Sequence, residues 1–225
     1  MNLNSDLGEG AEDDDEILTL VDSANLACGV HAGSVSISIA TASRCAELGV
    51  EIGAHPGFDD RASFGRVELP LSVEEIEALV AFQVAGLAAI APVAYVKPHG
   101  ALYHRCQKDS AAADAVARVA KAHGVGLMGQ PGFELIAAAK RAGIPGYREG
   151  FADRRMLPDG RLVPRSEPGS RFDSAHAADH AIRLAQSGLY DTLCIHGDSP
   201  GAGVVAAAVR RALDEAGIVT TRLAS

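Results

Sequence analysis

Short apolar segments alternate with longer segments of mixed polarity along nearly the whole chain. The short segments are rich in Val, Ile, Leu and Ala, and they predict strands at 1–6, 23–28, 50–54, 93–97, 125–128, 144–149, 192–196 and 219–223. The longer segments predict helices at 13–21, 35–48, 73–91, 110–123, 132–141, 174–186 and 203–216. Two long polar connections, at 55–70 and 150–171, interrupt this alternation.

Strands that alternate with helices pair in parallel through right-handed crossovers. Seven or eight such units in 225 residues predict an α/β protein with one domain over residues 1–225, a compact and incomplete (β/α) barrel. An open, doubly wound sheet is the alternative. Because the carboxyl ends of barrel strands carry the active site, the residues at those ends are the candidates for chemistry.

Four histidines each follow a predicted strand and stand beside glycine, alanine or proline, namely His31, His55, His99 and His196. The turn at each position leaves an imidazole at the strand end, where it can polarise a carbonyl and transfer protons near neutral pH. Imidazoles together with Asp6 or Asp198 would also suit a divalent metal. The sequence contains no His-x-His or His-Glu-x-x-His motif, so no resident metal is predicted.

Carboxylates, amides and one lysine lie at or beside other predicted strand ends. Asn4 and Asp6 share one face of the first strand, and Asp6 is a candidate general base or orienting carboxylate, with a helix cap as the alternative. Lys97 precedes His99 by two residues and would be costly to bury without an anion, so we expect a carboxylate or phosphate beside it. Asn25, Glu149 and Asp153 complete this set.

The two long connections collect arginines, including Arg61 and Arg66 in the first and Arg154 and Arg165 in the second. Ordered connections of this length are often binding loops, and guanidinium groups bind carboxylates and phosphates. An anionic ligand is therefore expected, although surface pairing with neighbouring aspartates is the alternative for some of them. There is no Gly-x-x-x-x-Gly-Lys-[Ser/Thr] motif, so any nucleotide is held without a P-loop.

Composition narrows the classes of function. Twenty basic and 29 acidic residues give a net charge of −9, which argues against nonspecific binding to nucleic acid. No segment has the length and hydropathy of a membrane span, and the first residues lack the pattern of a secretory signal. Four widely spaced cysteines fit reduced thiols better than disulfides or a zinc site. We expect a cytoplasmic protein.

Several of these segments together resemble the LamB/YcsF family. The matching segments are 4–9, 23–33, 53–61, 64–66, 96–103, 151–154, 162–166 and 195–198, and they follow the family's order along nearly the whole chain. The resemblance implies a seven-stranded barrel of the glycoside hydrolase/deacetylase type. It also implies ATP-dependent opening of 5-oxo-L-proline to L-glutamate, with Mg²⁺ as the counter-ion of ATP and with two further subunits, B and C.

On this hypothesis, Asp6 and either His55 or His99 transfer protons and Lys97 binds the anion, which makes these four the catalytic candidates. The candidates for binding substrate or phosphate are Asn4, Glu9, Asn25, His31, Arg61, Arg66, Glu149, Asp153, Arg154, Arg165, His196 and Asp198. Two positions depart from the family pattern, because Ser34 stands where an acid is common and His104 where asparagine is common.

Two other functions stay open at this point. The chain would act alone as a metal-dependent amide hydrolase or deacetylase, or it would be a subunit that binds the lactam without catalysis. A binding subunit needs few polar groups for so small a ligand, whereas many polar residues lie at these strand ends. Association into a homo-oligomer is left open as well.

Overall fold

Seven parallel strands pair in chain order and close into a barrel in the computed structural model, which describes residues 1–224. The strands are β1 (Asn2–Leu7), β2 (Ser23–Ala27), β3 (Glu51–His55), β4 (Tyr95–Val96), β5 (Gly126–Gly129), β6 (Gly146–Phe151) and β7 (Thr192–His196). Because β1 pairs with both β2 and β7, Asp6 lies opposite Asn25 on one side and His196 on the other. The seven-stranded (β/α) barrel is confirmed, and the open-sheet alternative is wrong.

Eight helices surround the described barrel. They are α1 (Asp14–Leu18), α2 (Val35–Leu48), α3 (Val73–Ala88), α4 (Gly100–Lys108), α5 (Ser110–Ala122), α6 (Glu134–Ala142), α7 (Ser174–Gln186) and α8 (Ala202–Glu215). At the start of α3, Ser72 and Glu75 form a reciprocal capping box, as the sequence suggests. Helix α4 was not predicted, because Pro98 and Gly100 indicate only a turn after β4. In the described residues, no helix is long and apolar enough to span a membrane.

The predicted strand at 219–223 is wrong. With β1 and β7 already paired, the barrel has no free edge for an eighth strand. The segment instead lies across the amino-terminal end of the barrel, where the backbone N–H of Thr221 donates to the carbonyl of Met1 at 2.8 Å. The backbone N–H groups of Leu223 and Ala224 donate to the Glu51 carboxylate at 3.1 and 2.9 Å.

Alternate residues of each strand face the barrel interior or the surrounding helices. Outward-facing Leu3, Leu7 and Leu26 are fully buried in an aliphatic core against the helices. The lower part of the interior is polar. We call its six uncharged residues the lower lumen, namely Asn2, Asn4, Ser23, Asn25, Tyr95 and Thr192. Glu51 lies at the amino-terminal edge of this layer, where it accepts a hydrogen bond from Ser23 at 3.2 Å.

Hydrogen bonds connect the side chains of the lower lumen across the barrel. Thr192 donates to Asn2 at 2.6 Å and accepts from Asn4 at 2.6 Å. Asn25 donates to Asn4 at 2.7 Å and accepts from the Tyr95 hydroxyl at 2.7 Å. A Cβ atom on Gly53 would lie 2.1 Å from the Tyr95 ring, so only glycine on β3 allows this ring to cross the lumen. This layer forms the support for the residues above it.

Candidate active site

The carboxyl ends of the strands open into a cavity of about 540 Å³. Asp6, His55, Lys97 and His196 form its floor, each at or directly after the end of a different strand. Helix α4 and the connection between β6 and α7 form its walls. Four strands therefore deliver titratable side chains to one small space, as the barrel predicts.

Lys97 lies between two carboxylates on this floor. Its Nζ is 2.7 Å from Oδ1 of Asp6 and 2.7 Å from Oε1 of Glu149, and the lysine is only 2% exposed. The anion expected beside Lys97 is thus a pair of carboxylates. Burial disfavours the ammonium, but Asp6, Cys194 and Glu149 outweigh it and hold the pKa of Lys97 well above its usual range. The lysine therefore keeps its charge in a buried place.

Asp6 is the point where these contacts meet. Its Oδ1 accepts from Asn25 at 2.8 Å and from Lys97, and its Oδ2 lies 3.5 Å from Nε2 of His55 and 4.0 Å from Nε2 of His196. Burial raises the pKa of Asp6, but the charges of His55 and Lys97 outweigh it and hold the value well below its usual range. Asp6 is accordingly an ionised carboxylate on the cavity floor.

His31, His55 and His99 form a cluster behind Asp6. Nδ1 of His99 lies 2.9 Å from Nε2 of His55, and the ring of His31 stacks on the ring of His99 at 3.9 Å. The carboxylate of Glu9 lies 3.5 Å from His31 and 3.4 Å from His99. A Cβ on Gly57 would lie 2.6 Å from the His31 ring, so a glycine after His55 permits this packing.

Burial controls the charges in this cluster. It lowers the pKa of His31 to about 3, with a contribution from the neighbouring His55. Burial also lowers the pKa of His99 well below its usual range and raises the pKa of Glu9 well above its own. Neutral His31 has no hydrogen-bond partner on either ring nitrogen among the described residues.

Two groups of side chains bring metal-ligand atoms close together. The first is Glu9, His31 and His99, but the two rings are parallel, within 9°, and their in-plane lone pairs do not converge on one point. The second is Asp6, Cys194 and His196, where Nζ of Lys97 already lies 2.7 Å from Asp6 and 3.1 Å from Cys194. In this arrangement neither group is shaped to hold a metal ion.

His196 forms a second carboxylate–imidazole contact on the floor. Its Nδ1 lies 3.0 Å from the carboxylate of Asp153, and its ring stacks on Phe151 with the centroids 5.5 Å apart. The bond to Asp153 orients Nε2 toward Asp6. The imidazole is thereby fixed beside the cavity.

The arginines divide into three groups. Arg154 lines the cavity, is 4% exposed, and donates to the carbonyls of Ser170 and Val163 at 3.2 and 2.6 Å. No carboxylate among residues 1–224 forms an ion pair with it, and burial together with nearby Arg165 lowers its pKa to about 10. Arg154 is therefore a buried cation on the cavity wall with no carboxylate partner among the described residues.

The other arginines are already paired or lie outside the cavity. Arg66 and Arg165 line the cavity, and both bind Asp198, Arg165 at 3.0 Å. Arg61 does not line it; its guanidinium donates to the carbonyls of Gly29 and Gly33 at 2.6 and 2.9 Å. Arg61 thus stabilises the loop after β2, and the structure does not bring it to the ligand space.

The remaining predicted residues lie beneath or behind the floor. Asn4 and Asn25 belong to the lower lumen, and Glu9 and His31 to the cluster behind Asp6. Tyr103 is not among the predicted residues, and its hydroxyl donates to Oε2 of Glu149 at 3.1 Å. Its position, four residues after His99, becomes informative only once α4 is known to be a helix.

The structure shows where the two residues that depart from the family pattern, Ser34 and His104, are located. Ser34 is the N-cap of α2, where its hydroxyl accepts from the backbone N–H of Ile37 at 3.2 Å. Serine and an acid cap a helix in the same way, so this change preserves the local structure. His104 lies on the wall of the cavity, so it changes the surface that meets a ligand.

Comparisons with known proteins agree with this architecture. The model of the LamB/YcsF family matches residues 1–225. Two relatives, from Neisseria meningitidis serogroup B and Streptomyces coelicolor, are each named as the A subunit of 5-oxoprolinase, and they are 41% and 43% identical to this chain. Each alignment covers 97% of this chain and 97% of the relative.

Solved structures show the same relationship. A lactam utilization protein from Thermus thermophilus is 40% identical and superimposes with a TM-score of 0.90 over 98% of both chains. A family 4 carbohydrate esterase from Streptomyces lividans superimposes with a TM-score of 0.57 at 8% identity, over 99% of this chain and 92% of its own, and shares the fold alone. From the family match and these identities, the chain belongs to the LamB/YcsF family.

Proposed function

We propose that this chain carries the lactam-opening site of an ATP-dependent 5-oxoprolinase, which converts 5-oxo-L-proline to L-glutamate together with subunits B and C. The observation that carries the proposal is the carboxylate of Asp6, 2.7 Å from the ammonium of Lys97 on the floor of a cavity. The wall of this cavity contains Arg154, which has no carboxylate partner among the described residues. The names of the relatives, which refer to 5-oxoprolinase and to lactam utilization, support the substrate class.

The cavity suits a small anionic lactam. Arg154 would bind the carboxylate of 5-oxoproline through two charge-assisted hydrogen bonds. Asp6 and His196 would then face the ring carbonyl, with Phe151 packed against its methylene groups. At about 540 Å³, the cavity leaves room for a phosphate group beside so small a substrate.

Ring opening needs proton transfer at two atoms. Asp6 takes a proton from the attacking water as the new C–O bond forms, and it returns that proton to the ring nitrogen as the C–N bond breaks. Lys97 and Glu149 fix the position of Asp6, so that little reorganisation accompanies the transfer. Because amide resonance makes the carbonyl unreactive, ATP would supply the activation by phosphorylating the carbonyl oxygen. Breaking the C–N bond would then leave the γ-acyl phosphate of glutamate, and a second water would cleave it to glutamate and inorganic phosphate.

The mouth of the cavity suits phosphate groups. Arg66 and Arg165 lie there, and their only carboxylate partner among the described residues is the shared Asp198. Lys108 and Arg161 add two further cations to the lining. These four side chains would hold phosphate oxygens, with Mg²⁺ neutralising the remaining charge of ATP.

The test measures glutamate released from 5-oxoproline in the presence of ATP and Mg²⁺, using this chain alone and mixed with its subunits B and C. We expect release from the mixture that depends on ATP and on Asp6. Release by the isolated chain with a divalent metal and no ATP would favour a stand-alone amide hydrolase. Asp6→Asn with unchanged turnover at saturating substrate would favour a binding subunit without catalysis.

A further inference from the structure

The hydrogen bonds of His55 and His99 fix where their ring protons lie. Nδ1 of His55 is 2.7 Å from the carbonyl oxygen of Lys97, and Nε2 of His99 is 2.8 Å from the carbonyl oxygen of Phe64. A carbonyl oxygen only accepts hydrogen bonds, so both of these nitrogens carry protons. If both rings were neutral, each would have a bare lone pair on its other nitrogen.

Those two other nitrogens face each other. Nε2 of His55 and Nδ1 of His99 lie 2.9 Å apart, in a site where the two side chains are 1% and 7% exposed. Two lone pairs at this distance repel and cannot be relieved by solvent, whereas a proton between them makes an ordinary hydrogen bond. The pair therefore holds three protons and one positive charge.

The neighbouring groups assign that charge to His55. Asp6 lies 3.5 Å from His55, whereas the carboxyl group nearest to His99 belongs to Glu9, whose pKa is raised by burial. The low pKa of His99 fits a ring that accepts the hydrogen bond and stays neutral. The titratable groups in contact with His55 are Asp6, His31, His99 and, through its backbone carbonyl, Lys97. Glu9 contacts His99 and His196 contacts Asp6, so both lie one contact further away.

Charge balance leads to the same assignment. Asp6 and Glu149 both lie 2.7 Å from the single ammonium of Lys97, which is therefore shared between two carboxyl groups. An imidazolium at His55 places a second positive charge beside Asp6, at 3.5 Å. A metal ion is not needed for this, and the parallel rings of His31 and His99 do not direct their lone pairs at one point.

We propose that His55 is a permanent imidazolium that donates both of its ring N–H groups, and that its charge keeps Asp6 ionised. His55 is then a positioning residue, because its N–H groups are used by Lys97 and His99 and it acts through Asp6. The protonation state stands on the hydrogen bonds alone; its part in lactam opening rests on the proposed function.

The first experiment observes the protons directly. The isolated chain is labelled with ¹⁵N at histidine, treated with chelator, and studied by NMR at pH 8, where an ordinary histidine is neutral. We expect both ring nitrogens of His55 to be protonated, with the signal assigned by its loss in His55→Gln. A bare Nε2 on His55 would overturn the proposal. Equimolar uptake of Zn²⁺ that shifts the His55 and His99 signals would also overturn it.

The second experiment tests the effect on Asp6. Gln cannot carry a charge, yet its amide can still donate to Nδ1 of His99. In His55→Gln we expect the pKa of Asp6, followed by its carboxyl ¹³C shift, to rise by about one unit or more, since a nearby positive charge lowers a carboxyl pKa by that amount. The exposed His123→Gln is the control and should change nothing. An unchanged Asp6 titration in His55→Gln would contradict the proposal.

Activity gives an independent measurement. The acid limb of the pH profile for glutamate release should move to higher pH in His55→Gln by the same amount as the Asp6 titration, because a purely structural defect lowers the rate at every pH. If the variant does not fold, the wild-type ¹⁵N spectrum still decides the protonation state. A protonated His55 in a mixture that releases no glutamate would count against the proposed function and leave this inference standing.

Discussion

The lower lumen and the cavity floor above it are built from the same alternate positions of the same strands, but they differ in charge and in hydrogen bonding. Below, Asn2, Asn4 and Thr192 are neutral and are hydrogen-bonded to one another. Above, Asp6 and Lys97 are charged and border a cavity. Asn4 and Asp6 are successive inward-facing residues of β1, and the boundary between the two environments lies between them.

The contrast shows how a barrel supports costly groups. A buried carboxylate needs fixed donors, and Asn25 donates both to Asn4 below and to Asp6 above. The lower network therefore orients the residue that holds Asp6. We expect substitutions above to change activity more than stability, and substitutions below to do the reverse.

Asp6→Asn should have the largest effect on activity. The amide keeps the shape of the carboxylate but cannot accept a proton, so we expect glutamate release by the three-subunit mixture to fall by about 10³-fold. Asp173→Asn is the matched control, because Asp173 is an exposed N-cap and asparagine caps a helix equally well. Proton transfer by a positioned side chain contributes about 10²- to 10⁴-fold to the rate, so a fall of less than about tenfold in Asp6→Asn would contradict the role of Asp6.

Arg154→Gln should act on binding. Loss of the charged hydrogen bonds to a carboxylate costs about 1.5–3 kcal/mol, so the KM for 5-oxoproline should rise by roughly 10- to 100-fold with kcat changed only a few-fold. Steady-state kinetics measure both constants. The control is Arg141→Gln, an exposed arginine paired with Asp114 and Glu134. An unaltered KM would remove Arg154 from the substrate site.

Thr192→Val should lower the free energy of unfolding and leave kcat unchanged. Valine keeps the shape of threonine but removes the donor to Oδ1 of Asn2 and the acceptor for Nδ2 of Asn4 in the buried lower lumen. The free energy of unfolding in urea should fall by about 1–3 kcal/mol, while kcat stays near wild type. A large loss of kcat at full folding would show that the two regions are not separable in this way.

Glu9→Gln should give the smallest effect, and one that depends on pH. Burial raises the pKa of Glu9 in the folded chain, so the native state favours the protonated form and loses stability as the pH rises through the raised value. Glutamine resembles the protonated form. The variant should melt about 2–4 °C above wild type at pH 8, with the difference vanishing near pH 4. A wild type that is the more stable at pH 8 would contradict the direction of the shift.

The sequence predicted the barrel well because strand and helix periodicities are local. His55 and His196 are the last residues of β3 and β7, whereas His31 and His99 lie four and three residues beyond the ends of β2 and β4. The sequence could not show which of these histidines touch. His196 contacts Asp153, whereas His55 contacts His99, and these partners depend on loop conformations. Arg61 shows the same limit, because its loop turns the guanidinium toward the Gly29 and Gly33 carbonyls and away from the cavity.

Two further features of the structure could not be predicted because they also depend on contacts between residues far apart in the sequence. The strand predicted at 219–223 has the right composition, but closure of the barrel at β1 and β7 leaves it nothing to pair with. Helix α4 brings Tyr103 to Glu149, but this helix could not be predicted because Pro98 and Gly100 at its start are typical of a turn. Pairing across the whole sheet decides such cases, and no local pattern contains that information.

The Tyr95 ring fills the space that a side chain at position 53 would need, which limits the substitutions that this barrel can accept. Residue 53 can gain a side chain only if residue 95 loses its ring, because the Cβ atom would lie 2.1 Å from the nearest ring carbon. The two positions should therefore vary together among relatives. A smaller residue at position 95 would also remove the hydroxyl that donates to Asn25, and Asn25 in turn donates to Asp6 on the cavity floor.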